Sequence, residues 1–464
     1  MSLWNTILSN LPEVAGPTQK RLSFKEKLKW TSIILVIFFV LGLIPLFGLG
    51  RNELQRFEYL SIILGASFGS ITSLGIGPIV TASIVLQLLN GSGLMKMDLT
   101  SHEGKRKFQG IQKLLGIFFI IFEAGIYVFM GGLTPDSVLA GTALYTRVQL
   151  LLVFQLFIGG MLILFMDEVV SKWGFGSGLS LFIAAGVSQE IFTSALSPLP
   201  SPLDPSVPIG AIPGLFKALS MGNPVEAGLL MASVIATVLV FVMAVYSQAM
   251  KIEIPLSFGR VRGHGIRWPL HFLYTSNIPV ILVAALMANV QLWARLLQNW
   301  GYPLLGTFSA ASNSPQSGLV LWLHPPNLVR KILTSSLTMG DIKVSVIYLL
   351  FFIVGCVVFS WFWMQTAGMD AKSQAKQIMA SGLQIPGFRR DQRVLERLLD
   401  RYIKSLTVMG AIAVGILASV ADLAGSLSRG TGILLAVMII YKLYEEIARQ
   451  HMMDMNPLMR RFME

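Results

Sequence analysis

The side chains that could do chemistry are few and scattered. The five histidines, His102, His264, His271, His324 and His451, form no HExxH pair and no His/Cys cluster, so metal-centred catalysis is not expected. Cys356 is the only cysteine and sits inside an apolar run, where it reads as a small core hydrophobe. Asp167-Glu168 offers the paired carboxylates of acid–base work, but the pair closes an apolar run and is expected to be a solvated helix end. Gly174-Phe-Gly176-Ser-Gly178 has the glycine spacing of a phosphate cradle. No Lys-Ser/Thr pair follows it and no strand is expected before it, so it reads as a turn opening a helix. Glu123 is the one carboxylate well inside an apolar run, with Arg147 and Lys343 at the edges of others. Beside Gly116 and Gly125, it is expected to hydrogen-bond a neighbouring helix. The pattern predicts no enzyme and no cofactor, and so little buried charge argues against coupling to a proton or sodium gradient.

A more informative chemistry is that of small and weakly polar groups. Residues 70–92 are apolar enough to enter a bilayer yet crowded with Gly, Pro, Ser, Thr and Gln. Such residues let helices approach closely or line something other than lipid. The segment before it, from Arg51 to Ser73, is half-hydrophobic and too polar to span, which suggests a short helix that enters and turns back.

The elements that must position these residues follow from composition. The chain is 54% hydrophobic and only 13% charged. A soluble domain carries about 25% charge, so this is a membrane protein. Roughly 20 apolar residues cross a bilayer core as helix, and ten candidates meet that need: 31–49, 74–92, 114–133, 148–166, 179–197, 227–249, 274–294, 344–364, 405–425 and 431–448. No cleavable leader is expected, because the first apolar run begins near Thr31 after a polar, basic lead. With the N-terminus inside, 27 of the 36 lysines and arginines fall on the cytoplasmic side, which places both termini there. Residues 198–224 hold seven prolines and are expected to form an extended outer connector that divides five spans from five. Residues 1–30 form a cytoplasmic lead in which Trp4, Ile7, Leu8 and Leu11 recur at helical spacing, an amphipathic helix on the inner face. Residues 449–464 form a cytoplasmic tail.

From end to end the chain resembles the SecY family, the pore subunit of the protein-conducting channel, in its archaeal form and in the eukaryotic translocon alpha counterpart. Leu74-Gly-Ile76-Gly-Pro78-Ile-Val80-Thr-Ala with Gln87-Leu-Leu resembles the family's second span, and the stretch from Phe165 through Asp167-Glu168 and Gly174–Gly178 to Ile183 resembles its link between the fourth and fifth. Ser276-Asn-Ile-Pro279-Val-Ile281 with Asn289 resembles the seventh, and Thr407-Val-Met and Gly430-Thr-Gly432 with Leu434-Leu435 resemble the ninth and tenth. The resemblance implies an all-α polytopic membrane protein: ten transmembrane helices in two pseudo-symmetric inverted halves, 31–197 and 225–448, around a central pore with a re-entrant plug.

The resemblance further implies roles for particular residues. Ile76, Val80, Leu179, Ile183, Ile281 and Leu435 would form the constriction ring, with Leu179 standing where the family often carries isoleucine. Branched apolar side chains close around an extended polypeptide and disfavour a standing water column. The plug would run from about 58 to 68, through Tyr59, Leu60, Ile62, Ile63, Leu64, Gly65 and Phe68. Thr81, Gln87 and Asn289 would lie at a lateral gate between the second and seventh spans. The basic loops with Arg260, Arg262 and Arg267, and with Arg389, Arg390 and Arg393, would dock a translating ribosome, and Arg389 carries the strongest expectation. SecE-like and Secβ-like small subunits, signal sequences, nascent chains and the lipid bilayer are the other implied partners, and an archaeal cell (plasma) membrane the implied location. The rival reading is a secondary transporter of a small solute built from inverted repeats, which calls for convergent buried polar groups at the midplane; an intramembrane enzyme would need a nucleophile–base pair or metal ligands.

Overall fold

The computed structural model describes residues 11–19, 22–52, 66–91, 94–95, 97, 102–200, 208–258, 265–275, 277–309, 314–380, 383–384 and 391–455. Each of the ten apolar segments carries one long helix: α1 (Phe24–Leu43), α2 (Gly77–Gly91), α3 (His102–Phe129), α4 (Ala143–Trp173), α5 (Gly178–Leu196), α6 (Pro224–Ala249), α7 (Ile278–Asn299), α8 (Met339–Thr366), α9 (Gln392–Leu423) and α10 (Gly430–Met455). Seven of them, α3 to α9, are long and apolar enough to cross a membrane. The other three fall short because α2 is short and because charged residues occupy the start of α1 and the last turns of α10.

Local chemistry moves the boundaries away from the apolar runs. Ser23 and Glu26 form a capping box, so α1 begins at Phe24 rather than at Thr31. The second span begins late for a different reason. Residues 71–76 are turns, and the serines before and within them satisfy the buried backbone: the Ser70 hydroxyl donates to Ser67 O at 2.7 Å, and Gly69 N–H donates to Ser73 Oγ at 2.9 Å. This turn lies against Gly159 of α4, where a Cβ would sit 1.9 Å from Ile71 O. At the other end α10 continues to Met455, into the expected tail.

Two expectations change. The connector 198–224 is not extended throughout, because Ala211–Ser220 is a helix with Pro213 in its first turn, where the missing N–H costs nothing. The loop between α6 and α7 is a hairpin, β1 (Lys251–Phe258) and β2 (Gly265–His271), antiparallel from Lys251↔His271 to Ser257↔Gly265. Leu383–Gln384, between α8 and α9, pairs with the end of β1, so two loops far apart in the chain share one sheet. The signal was in the sequence: Lys251, Glu253 and Ser257 alternate with Ile252, Ile254, Leu256 and Phe258, the period of a half-buried strand.

Two cores result. The large one runs through the bundle from Ile34 and Phe38 of α1 to Leu434 and Leu435 of α10, with Phe38 stacked on Phe182 at 4.5 Å. A smaller one, including Ile254, Leu270, Ala375, Ile378 and Leu399, sits under the hairpin, the helix Ala371–Ala380 and the start of α9.

Candidate functional site

A cavity of about 450 Å³ opens at the centre of the bundle, along α2, at the end of α8 and at the beginning of α3, α5 and α7. Ile76, Val80, Leu179, Ile183 and Ile281 all line it. Leu435 is fully buried in the same bundle core without reaching the cavity wall. Ile76, Val80 and Ile183 are buried, whereas Leu179 and Ile281 are half-buried and packed against that core. Five side chains from α2, α5, α7 and the turn before α2 thus converge on one space, which no single helix pattern requires.

The turn between α4 and α5 sets the entry of α5. Gly176 has φ +68°, a backbone region in which a side chain is strained, and at Gly178 a Cβ would lie 2.6 Å from Asp167 Cα. Asp167 Oδ1 accepts from Leu179 N–H at 3.0 Å and from the Ser177 hydroxyl at 3.4 Å. Glu168 accepts from Val14 N–H at 2.9 Å and pairs with Lys113 of α3. The carboxylate pair is therefore not a solvated helix end. One member holds the start of α5, and the other fastens the N-terminal segment around Val14 to α3 and α4. Lys172 completes that strap, donating to Val14 O at 2.6 Å, and its ammonium holds the Glu13 carboxyl below the usual carboxylate range.

Thr81 of α2 and Asn289 of α7 meet across the seam between those helices. Asn289 Nδ2 donates to Thr81 Oγ1 at 2.8 Å, and the Thr81 hydroxyl lies 2.8 Å from Gly77 O and 3.2 Å from Glu123 Oε1 of α3. All three side chains are buried, and Glu123 bonds a neighbouring helix as its isolation implied. Gln87 stands apart from this contact: it lies on the cavity wall, 4% exposed, with Oε1 lacking a hydrogen-bond partner.

Of the named plug residues, only Phe68 is described, half-buried against the bundle core. Tyr59, Leu60, Ile62, Ile63, Leu64 and Gly65 lie outside the described residues, as do Arg260, Arg262, Arg389, Arg390 and the amphipathic positions Trp4, Ile7 and Leu8. Arg267 belongs to β2, and Arg393 is exposed in the first turn of α9, its N–H donating to Asp391 at 2.9 Å.

One constellation escaped sequence reasoning altogether. The turn between α9 and α10 ties the two halves together at the side opposite the cavity mouth. The Ser428 hydroxyl bonds Glu190 of α5, Leu427 N–H donates to Thr237 of α6 at 3.0 Å, and Asp422 accepts from Tyr348 of α8 at 2.6 Å and from Thr431 N–H at 2.7 Å. Each partner reads alone as an ordinary polar residue of an apolar helix or its flanking turn.

Comparison with known proteins bears on what this arrangement is for. The family model described as SecY matches residues 70–444. The protein translocase subunit SecY of Methanothermobacter thermautotrophicus is 46% identical over 98% of this chain and 97% of its own length. The protein of the same description from Pyrococcus furiosus is 41% identical over 97% and 96%. Among solved structures, a protein-conducting channel superposes with TM-score 0.82 at 39% identity, covering 97% of this chain and 98% of the other. Sec61 in the canine ribosome–channel complex from the endoplasmic reticulum superposes with TM-score 0.79 at 38% identity and the same coverage.

Proposed function

Since this chain belongs to the SecY family and is the pore subunit of a protein-conducting channel rather than an enzyme, we propose that its central cavity is the cytoplasmic mouth of the pore. Ile76, Val80, Leu179, Ile183, Ile281 and Leu435 are the ring that closes it. The observation that carries this reading is the convergence of five of these six on one cavity. A ring of branched apolar side chains resists ions while the channel rests and yields to an extended chain. The segment from about 58 to 68 is the plug, and of its named residues Phe68 packs half-buried against the bundle core.

The seam between α2 and α7 is the lateral gate through which hydrophobic segments pass into lipid, held at Thr81 and Asn289. Hydrogen bonds between membrane helices contribute about 0.6 kcal/mol on average and up to about 1.7, a latch weak enough for an intercalating signal helix to replace. The buried polar groups of the seam, Thr81, Asn289 and Glu123, are bonded through Thr81, and the cavity beside them is closed by branched apolar side chains, which suits a gate beside a polypeptide pore better than the site of a solute transporter.

The hairpin β1–β2 and the start of α9 form one basic cytoplasmic platform for the ribosome. Arg260, Arg262, Arg267, Arg389, Arg390 and Arg393 supply its charge, which matches phosphate without reading sequence. Its support is the shared sheet that joins the two loops, together with the ribosome-bound state of the canine relative. SecE-like and Secβ-like subunits complete the complex, both termini face the cytoplasm, and the membrane is an archaeal plasma membrane.

A photoreactive residue at Ile281 tests the ring. In membranes carrying the protein and its partners, a ribosome-stalled secretory chain is expected to crosslink there through its translocating segment, and deletion of the signal sequence is expected to abolish the crosslink. Crosslinks confined to the basic loops, with Ile281 silent, would overturn the assignment.

A further inference from the structure

The cavity has two unlike surfaces. Its floor is the apolar ring, but the wall leading away from the ring carries Ser83 and Gln87 on α2 and Gln109 and Gln112 on α3. Val80, Ser83 and Gln87 follow one another at i, i+3 and i+7, one stripe of α2. Gln112 Nε2 donates to Ser83 Oγ at 2.7 Å, while the Ser83 hydroxyl donates to Ile79 O at 3.0 Å, so the two helices hold this wall in a set orientation. Gln87 Oε1 is buried with no hydrogen-bond partner. A buried acceptor without a donor is unfavourable and rare enough to need a reason.

We propose that Ser83, Gln87, Gln109 and Gln112 are a main-chain reader, a wall that hydrogen-bonds the backbone amides of the polypeptide entering the cavity. The proposal rests on the pore reading above and names what the pore grips. Among the described residues the wall offers amides and a hydroxyl but no free charge. Asp167, the one carboxylate among the described residues that line the cavity, is engaged by Leu179 N–H and Ser177. Carboxamides both donate and accept, so they match N–H and C=O, the only groups that every translocated sequence shares. A charged wall would instead favour substrates by side chain.

The spacing agrees. Four residues of helix, from Ser83 to Gln87, rise about 6 Å. Every second N–H of an extended chain recurs at about 6.6 Å on the same side. An extended substrate beside α2 therefore presents successive N–H groups to Ser83 and Gln87, in the manner of strand addition to a sheet edge. Gln87 Oε1 gains the donor it lacks, and the chain enters the ring already extended.

The test uses the channel reconstituted with its small subunits and two secretory substrates. One carries an early mature segment of alternating Ala and Ser. The other carries proline at every second position there, which removes those N–H donors. Gln87→Leu is expected to slow translocation of the first substrate about two- to tenfold, the worth of a hydrogen bond, and to leave the already slower proline substrate within about twofold of its wild-type rate. Equal slowing of both substrates, or of neither, overturns the proposal. Ser83→Ala, which removes a neighbouring acceptor without adding bulk, should show the same substrate dependence and covers the case in which Gln87→Leu fails to fold. The Ile281 crosslink, measured in parallel on wild-type channel, separates the two failures: its loss condemns the pore reading, and its persistence with no substrate dependence condemns only the reader.

Discussion

Helices α6 and α7 show how membrane burial differs from burial in water. The most apolar stretch of α6 has mean hydropathy 2.6 and is 11% buried, whereas that of α7 has 1.8 and is 78% buried. In water the more apolar helix would take the centre. In lipid, apolarity favours neither place, because hydrocarbon tails are as apolar as leucine, and small and polar residues decide the packing. Accordingly α7 buries Ala284, Ala285, Ala288 and Ala294 together with Asn289, Gln291 and Arg295. On α6, Val238, Leu239, Phe241 and Val242 face outward. Gln291 donates to Leu323 O at 2.8 Å and Gln298 to Phe308 O at 3.1 Å, so the central helix also carries the long loop between α7 and α8.

Matched leucines should give the largest contrast. Leu292→Ala on α7, at a fully buried site, is expected to cost about 2–5 kcal/mol. Leu239→Ala on α6, 56% exposed, is expected to stay within about 0.5 kcal/mol. Detergent unfolding of the purified variants measures both, and equal costs would break the comparison.

Matched glycines come next. At Gly355 of α8 a Cβ would lie 2.9 Å from Val283 Cγ2 of α7, whereas at Gly228 of α6 nothing lies within 4 Å. Gly355→Ala should destabilise by about 1–3 kcal/mol, and Gly228→Ala should stabilise by about 0.5–1 kcal/mol. The opposite signs are read from the same unfolding curves.

The loop carried by α7 brings a pH dependence. His324 Nδ1 lies 3.4 Å from Arg429 Nη2, a group that only donates, so the ring accepts in its neutral form. Burial, and then the Arg429 charge, push its pKa down to about 3. A depressed histidine takes up its proton first in the unfolded chain, so its contribution is present above about pH 6.5 and is lost as pH falls toward 3. By pH 5.5 the protein should lose about 1 kcal/mol relative to pH 7.5, and His324→Gln should flatten that part of the melting-temperature profile. An unchanged slope in the variant would remove His324 from the account.

The smallest effect belongs to the seam itself. Asn289→Leu deletes the bond to Thr81 and is expected to destabilise the closed gate by about 0.6 kcal/mol, seen as a modest rise in gate opening by distance measurements between labels on α2 and α7. The matched polar deletion on α6, Ser233→Ala, removes only an intrahelical bond to Leu230 O and should leave opening unchanged.

How much of this was legible differs from residue to residue. Ten apolar runs gave ten helices because length and apolarity act locally, and Asn289 and Thr81 stood out because a polar side chain in a span needs a partner. The hairpin at 251–271 was written in a period-2 alternation and was passed over in favour of a basic loop. Asp167-Glu168 was misread because a carboxylate at a helix end looks the same whether water or a neighbouring backbone receives it. The junction of α9 and α10, from Asp422 to Thr431, carried no local signal of its ties, since its partners Glu190, Thr237 and Tyr348 come from three other helices.

The sequence by itself determined what enters the membrane and membership in the family its motifs resemble. These follow from transfer free energies and from residue identities read in order. Only the tertiary structure decided that α7 and not α6 stands at the centre, that five branched side chains meet at one cavity, and that Gln87 waits there without a donor. Lipid does not sort one apolar helix from another, so those placements depend on close packing and hydrogen bonds between distant segments, which no local pattern encodes.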